Sequence, residues 1–189
     1  QLNGIKGKSE ISVYYGESKE EAEDFEHCIL VDREKLDSSL GESYTFPQSR
    51  AFRYVSIVPK EKDFHIDHVS MLYEYLPVSY RGKFRSSNEQ LNQIWDTSVY
   101  TFHLNTREFI FDGIKRDRWV WSGDSYQSFL MNYYSFFDQD VVKRTLIALR
   151  GKDPVHAHIN TILDYSLYWF ISMYDYYVHT ADKEFIESQ

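Results

Sequence analysis

Up to Arg81-Gly82 the chain is written in short apolar runs broken by charged, turn-prone stretches; beyond that point the apolar positions recur with helical spacing. Ile11 to Tyr15, His27 to Val31, Ala51 to Val58 and Val69 to Tyr75 are rich in β-branched and aromatic residues. Such residues fit a pleated, half-buried surface, so these four runs predict strands. In the third run Phe52, Tyr54, Ser56 and Val58 alternate with Arg53, Val55 and Ile57. Both faces are partly apolar, which predicts an inner strand of a sandwich rather than an exposed edge.

The second half predicts helices. Ser86-Ser87-Asn88-Glu89 has the spacing of a capping box, a serine followed three residues later by glutamate. Leu91, Ile94, Trp95, Ser98, Val99 and Phe102 then fall on one helical face. A second helix is expected from about Ser125 to Phe136, with Phe129, Leu130, Tyr133 and Phe137 apolar. Asp138 can cap a third, which carries Val141, Val142, Thr145, Leu146 and Leu149 and ends at Gly151. A fourth, starting near Asn160, is expected to bury Leu163, Leu167, Phe170, Ile171 and Tyr174, and Tyr176 and Tyr177 also read as packing residues. Asp182 to Glu187 reads as the first turn of a fifth. Four amphipathic helices with another beginning predict helical hairpins interrupted partway. The switch near residue 82 sets the expected domains, 1–82 and 83–189.

Composition narrows the class without naming an activity. The chain has 189 residues, 42% apolar and 26% charged, as expected of a folded chain. A net charge of −8 argues against a nucleic-acid or anionic-membrane surface, both of which need clustered positive charge. The single cysteine, Cys28, excludes an internal disulfide framework and a cysteine-rich zinc site. No apolar run reaches the roughly 18–20 residues of a membrane span. The chain begins at Gln1 rather than Met, which points to a cut N-terminus and removes meaning from the missing leader.

Residues 112–124 carry the densest chemistry. Asp112, Asp117 and Asp124, Arg116 and Arg118, and Trp119 and Trp121 crowd into thirteen residues. Gly113 and Gly123 argue against a regular element there. A loop lining a pocket can aim carboxylates at hydroxyls, hold one proton donor and stack indoles on a sugar ring. The same residues also fit a surface loop whose Asp and Arg side chains neutralise each other. Trp119 and Trp121 weigh against that reading, because two exposed indoles are costly.

The loop resembles the signature of the inverting α-L-rhamnosidases, glycoside hydrolase family 78, of the type D-x-P-x-R-E-x-x-x-W-x-G-D. Asp112, Arg116, Asp117, Trp121 and Asp124 stand at the matching spacings. Phe52-Arg53-Tyr54-Val55 is similar to the last strand region of the family's β-sandwich, and Ser86 to Trp95 to the helix that opens its barrel. The resemblance implies an α+β multi-domain fragment: the end of an antiparallel β-sandwich, then the first helices of an (α/α)6 six-hairpin barrel. It implies an enzyme that removes terminal α-linked L-rhamnose from oligosaccharides or glycosides, without a cofactor. Asp117 takes the general-acid position, Asp112, Arg116 and Asp124 bind ring hydroxyls, and Trp121 forms an apolar wall. Asp164, Tyr165 and Trp169 lie where the family has further sugar contacts; they also fit helix core and a solvated carboxylate. A bacterial source is implied, with a periplasmic or secreted location favoured over the cytoplasm.

The chain departs from the pattern at three places: Asp117 stands for the usual glutamate, Ile114 for proline and Val120 for glycine. An inverting glycosidase also needs a second carboxylate, roughly 6.5–9.5 Å from the acid, to activate water. In the family that base is a glutamate on a later loop of the barrel, beyond Gln189. Glu184 and Glu187 instead suit a helix start, so the fragment alone is expected to be inactive. His156-Ala157-His158 is the one close histidine pair and lacks a partner for a zinc site, so no metal is expected. Two other classes remain open: a non-catalytic carbohydrate-binding protein, and another (α/α)6 sugar enzyme such as a phosphorylase or glucosidase.

Overall fold

A computed structural model describes residues 1–156 and 158–189. The chain divides into two units, Gln1–Glu74 and Tyr75–Gln189. In the first, a two-residue strand β1 (Leu2–Asn3) precedes β2 (Lys8–Gly16), whose residues Ser9, Ile11, Val13 and Tyr15 are buried while Lys8 and Glu10 are exposed. That period of two is what a pleated strand with one face on a core requires. A short helix α1 (Lys19–Glu23), capped by Ser18, follows. β2 then pairs antiparallel with β3 (Leu30–Asp37) on one side and β5 (Tyr54–Pro59) on the other, so that Val13 lies opposite Asp32 and Ile57. A second sheet sets β1 between β4 (Ser43–Tyr44) and β6 (His68–Val69). Leu2, Ile5, Ile11, Val13, Tyr15, Leu36 and Phe64 form the core of this unit. At its margin Arg50 donates to both oxygens of Asp32, and the Tyr15 hydroxyl donates to one of them.

Three strand expectations change. β5 is an edge strand, last in the order β3-β2-β5, with Tyr54, Val55 and Val58 exposed. Apolarity on both faces of a run carries no information about its place in the sheet. The 27–31 run joins the sheet only from Leu30, because Asp24 first holds the backbone N–H of His27 on its carboxylate and that of Cys28 on its carbonyl. The 69–75 run pairs only through His68 and Val69, and Met71, Leu72, Tyr73 and Tyr75 are exposed.

The second unit is helical: α2 (Glu89–Asn105), α3 (Ser122–Tyr134), α4 (Gln139–Arg150), α5 (Leu163–Thr180) and α6 (Lys183–Ser188). α5 packs against α3 and α4. The core gathers Phe102, Phe129, Phe136, Val142, Leu146, Tyr176 and Phe185 with their neighbours. The irregular stretch before α2 is tied down at His103, whose Nε2 lies 2.7 Å from the Leu76 carbonyl and whose Nδ1 lies 2.6 Å from the Tyr80 hydroxyl. No helix among the described residues is long and apolar enough to cross a membrane.

α4 follows its pattern. Asp138 accepts from the Val141 N–H at 3.0 Å, Val141, Val142, Thr145, Leu146 and Leu149 are buried, and Gly151 at φ 85 ends the helix. α2 departs from the expected capping box. Asn88 is its cap, Ser86 accepts from the Asn88 N–H, and Glu89 is engaged by the buried Asn92. On α2 Trp95 and Val99 are half-buried and Phe102 is buried, whereas Leu91 and Ile94 are exposed. α3 starts three residues earlier than expected, so Gly123 and Asp124 lie in its first turn. α5 reverses expectation most. Leu163, Leu167, Phe170, Ile171 and Tyr174 are exposed, as is Tyr177, and the buried residues are Ser172, Met173 and Tyr176. α5 is apolar on more than one face, and α3 and α4 cover only one of them.

Leu146→Ala is expected to cost about 2–5 kcal/mol, since it empties a fully buried site. Asp138→Ala, which removes only a cap, is expected to cost about 1 kcal/mol. Urea unfolding of the two variants checks the order.

Candidate functional site

Ile110 anchors the start of the 112–124 segment, its backbone N–H bonded to the buried Thr145 hydroxyl at 3.0 Å. Asp112 and Trp119 then clasp each other. The Asp112 N–H donates to the Trp119 carbonyl, and the Trp119 N–H donates to Asp112 Oδ1, both at 3.1 Å. Residues 114–117 make the turn inside this clasp, and Arg118 takes a left-handed backbone at φ 48. Arg116 and Asp117 stand exposed at the tip, with Arg116 Nε 3.6 Å from Asp117 Oδ1 and 51% of the Asp117 side chain accessible.

Below the tip the chain docks. Val120 is buried, Trp121 is half-buried and meets Tyr165 edge to face at 6.1 Å, and Trp119 remains exposed. Trp121 occupies the N-cap of α3 and makes no side-chain cap bond. The Ser122 N–H is bonded instead by Asn160 Oδ1 at 2.9 Å, and Asn160 Nδ2 donates to the Val120 carbonyl at 2.8 Å. The Ser122 hydroxyl donates to the Tyr165 carbonyl at 2.7 Å. Asp124, exposed in the first turn where the helix dipole favours an anion, accepts from the Tyr165 hydroxyl at 3.3 Å. Burial, and then the Asp124 carboxylate, raise the Tyr165 phenol above its usual range.

Gly123 admits this arrangement. A Cβ there would lie 2.7 Å from Tyr165 Cε1, whereas one at Gly113 would meet nothing within 4 Å. His158 closes the far side, with Nδ1 accepting from the Asn160 N–H at 3.3 Å and Nε2 3.5 Å from the Ser122 hydroxyl. Burial lowers its pKa below the usual histidine value, in keeping with a ring that accepts at Nδ1.

Tyr165 and Asp124 are therefore brought together with Trp121. Asp112 clasps Trp119 at the base of the loop, while Arg116 and Asp117 pair at its tip. Asp164 is exposed at the start of α5, and Trp169 packs on the core with its indole N–H on the Leu146 carbonyl. Asn160 and Ser122 escaped the sequence reading, because residues 38 apart leave no local pattern. Ala157 of the histidine pair lies outside the described residues. Among the described residues no group of three His, Cys, Asp or Glu side chains is arranged to hold a metal ion. Two concavities, one lined by Pro77, Arg81, Phe137 and Asp140 among others and one by Asp32, Glu34, Phe46 and Arg50 among others, include no residue of the loop.

Residues 79–189 match the bacterial alpha-L-rhamnosidase 6 hairpin glycosidase domain. The chain belongs to the bacterial α-L-rhamnosidase family. Residues 1–57 match a second family, described as alpha-rhamnosidase-like, bacteroidetes, N-terminal. Two solved structures share the fold. A rhamnosidase from Klebsiella oxytoca with rhamnose bound aligns at a TM-score of 0.72 and 22% identity, over 100% of this chain and 42% of that one. The GH78 family rhamnosidase of Bacillus sp. GL1 aligns at 0.75 and 22% identity, over 97% of this chain and 20% of that one. The chain thus spans less than half the length of either. No curated protein sequence matches it.

Two measurements test this geometry. Gly123→Ala is expected to displace the Tyr165 ring and change the near-ultraviolet circular dichroism, while Gly113→Ala leaves it unchanged. His158 has a lowered folded pKa, so the unfolded chain binds more protons between that value and about 6.5. Stability is expected to fall as pH drops through that window, and His158→Gln is expected to flatten the fall.

Proposed function

We propose that this chain supplies the sugar-holding and proton-donating side of an active site that hydrolyses terminal α-L-rhamnosides by single displacement with inversion. The substrate is a rhamnose-containing oligosaccharide or glycoside. On this reading residues 1–82 are part of a β-sandwich domain and residues 83–189 are the opening hairpins of an (α/α)6 barrel. Asp117 protonates the leaving glycosidic oxygen. Asp112, Arg116 and Asp124 hold ring hydroxyls, and Trp121 forms an apolar wall with Tyr165 against its edge. A glutamate elsewhere in the full-length protein deprotonates the attacking water from the opposite face of the sugar.

The observation that supports this reading most directly is the Asp112–Trp119 clasp in a chain of this family. It closes a short turn that carries a carboxyl and a guanidinium at its tip, in the same segment as the docked Trp121 indole. Asp112 binds the Trp119 N–H through Oδ1, and on this reading the same carboxylate also holds a ring hydroxyl. Charge-assisted bonds donated by hydroxyls to carboxylates are short and directional, which suits recognition of a neutral sugar.

One observation favours a second reading, a carbohydrate-binding protein without catalysis. Asp117 is half exposed and its neighbour is the cation Arg116, whereas a general acid is served by burial or nearby negative charge. A single variant separates the two. In the full-length protein Asp117→Asn is expected to lower kcat on an aryl α-L-rhamnoside by about 10²–10⁴-fold, with rhamnose still bound. Unchanged turnover would remove Asp117 from the acid role. Nuclear magnetic resonance of the first-formed sugar checks the stereochemistry, and β-L-rhamnose is the expected product.

A further inference from the structure

We propose that Asn160 is the positioning residue of this site, a remote cap that fixes Trp121 and the first turn of α3 in place. The proposal rests on the reading of the 112–124 loop as the sugar site. The first N–H groups of any helix lack intrahelical partners, and a serine, threonine, aspartate or asparagine at the N-cap ordinarily serves them. α3 has Trp121 in that position, which offers no acceptor. Asn160, 38 residues later and 5% exposed, accepts from the Ser122 N–H at 2.9 Å.

The same amide also donates to the Val120 carbonyl at 2.8 Å. It thus serves the C=O of one residue and the N–H two residues on, as the N–H and C=O of one residue in a parallel strand would. Trp121 lies between those bonds, so its backbone direction is fixed from both sides. The amide orientation is determined by its partners: turned over, it would set its NH2 against the Ser122 N–H and its oxygen against the Val120 carbonyl. The Ser122 hydroxyl has one hydrogen, and the Tyr165 carbonyl at 2.7 Å is nearer than Asn160 Oδ1 at 3.2 Å. Val120–Ser122, Asn160 and Tyr165 therefore form one knot, and Trp121, Asp124 and the Tyr165 ring all extend from it. None of these bonds reaches the loop tip, so Asn160 acts through other residues.

The test uses the full-length protein with Asn160→Ala and the near-isosteric Asn160→Asp, which retains the acceptor but sets a carboxylate oxygen against the Val120 carbonyl. Amide hydrogen exchange at Ser122 reads the clamp directly. Exchange is expected to accelerate about tenfold in Asn160→Ala, as one buried bond is lost. Turnover of an aryl α-L-rhamnoside, per folded molecule, is expected to fall by about 10–100-fold, the scale of a small misplacement. Asp138→Ala, which loosens the cap of α4 instead, is the control and keeps wild-type kcat. Unchanged Ser122 exchange overturns the clamp, and wild-type turnover per folded molecule overturns the positioning role. If Asn160→Ala does not fold, Asn160→Asp decides by turnover: it keeps the Ser122 acceptor but loses the Val120 bond, and wild-type turnover per folded molecule overturns the positioning role. If the wild-type protein turns over no rhamnoside while Ser122 exchange responds to Asn160, the rhamnosidase reading falls and the clamp stands.

Discussion

The first turn of α3 begins at an indole, a side chain that cannot accept a hydrogen bond from the backbone N–H groups it precedes. Burying such a turn uncompensated would leave polar groups without partners, at about 1–3 kcal/mol each. The fold meets that constraint at Ser122 from a distance, with the buried Asn160 amide accepting from its N–H and the Tyr165 carbonyl accepting from its hydroxyl. Everything chemically interesting nearby inherits its position from those bonds. Trp121 is fixed by its two neighbours, Asp124 follows in the same turn, and Tyr165 is held beside both because Gly123 lacks a Cβ. The tip is held differently. Arg116 and Asp117 stand above the clasp between Asp112 and Trp119, outside the knot below.

On the proposed reading that division sets Trp121 and Asp124 on the fixed first turn, and Arg116 beside the proton donor Asp117 on the clasped tip. The arrangement also accommodates one departure from the family signature. Val120 stands where glycine is usual, and a β-branched residue favours the extended backbone that a bridging amide requires. Its side chain is buried, so the substitution adds packing at the docked base of the loop.

The sequence was legible where one rule acted alone. α4 carries a single apolar stripe, a carboxylate cap and a terminal glycine, and all three hold. The family was legible in residues 112–124, because its signature spacing lies within thirteen contiguous residues. α5 was misread for a physical reason. Apolar residues lie on both sides of it, periodicity is satisfied by either, and packing of α3 and α4 selects the side of Met173 and Tyr176. β5 failed similarly, since two apolar faces do not distinguish an edge from a centre. The reading also treated Gly123 as a breaker. It sits in a helix because close approach by Tyr165, rather than backbone freedom, is what the position demands. Asn160 gave no signal as a cap, since a cap supplied from 38 residues away obeys no local spacing.

Asp117 is where these threads meet. An aspartate places its carboxyl one methylene closer to the backbone than the glutamate usual at this position, and on the proposed reading the loop itself makes up the distance. Two features govern where the backbone of residue 117 lies: the Asp112–Trp119 clasp below it and the left-handed Arg118 after it. A non-glycine residue in that region is unfavourable and persists only where neighbouring bonds impose it. The clasp is such a bond pair, and it makes the reach of Asp117 a property of Asp112. On the proposed reading the first aspartate of the signature has two tasks, setting the turn that carries Asp117 and holding a ring hydroxyl. Its replacement by asparagine would leave the Trp119 bond possible while removing the charge, which makes position 112 the place to separate loop geometry from hydroxyl recognition.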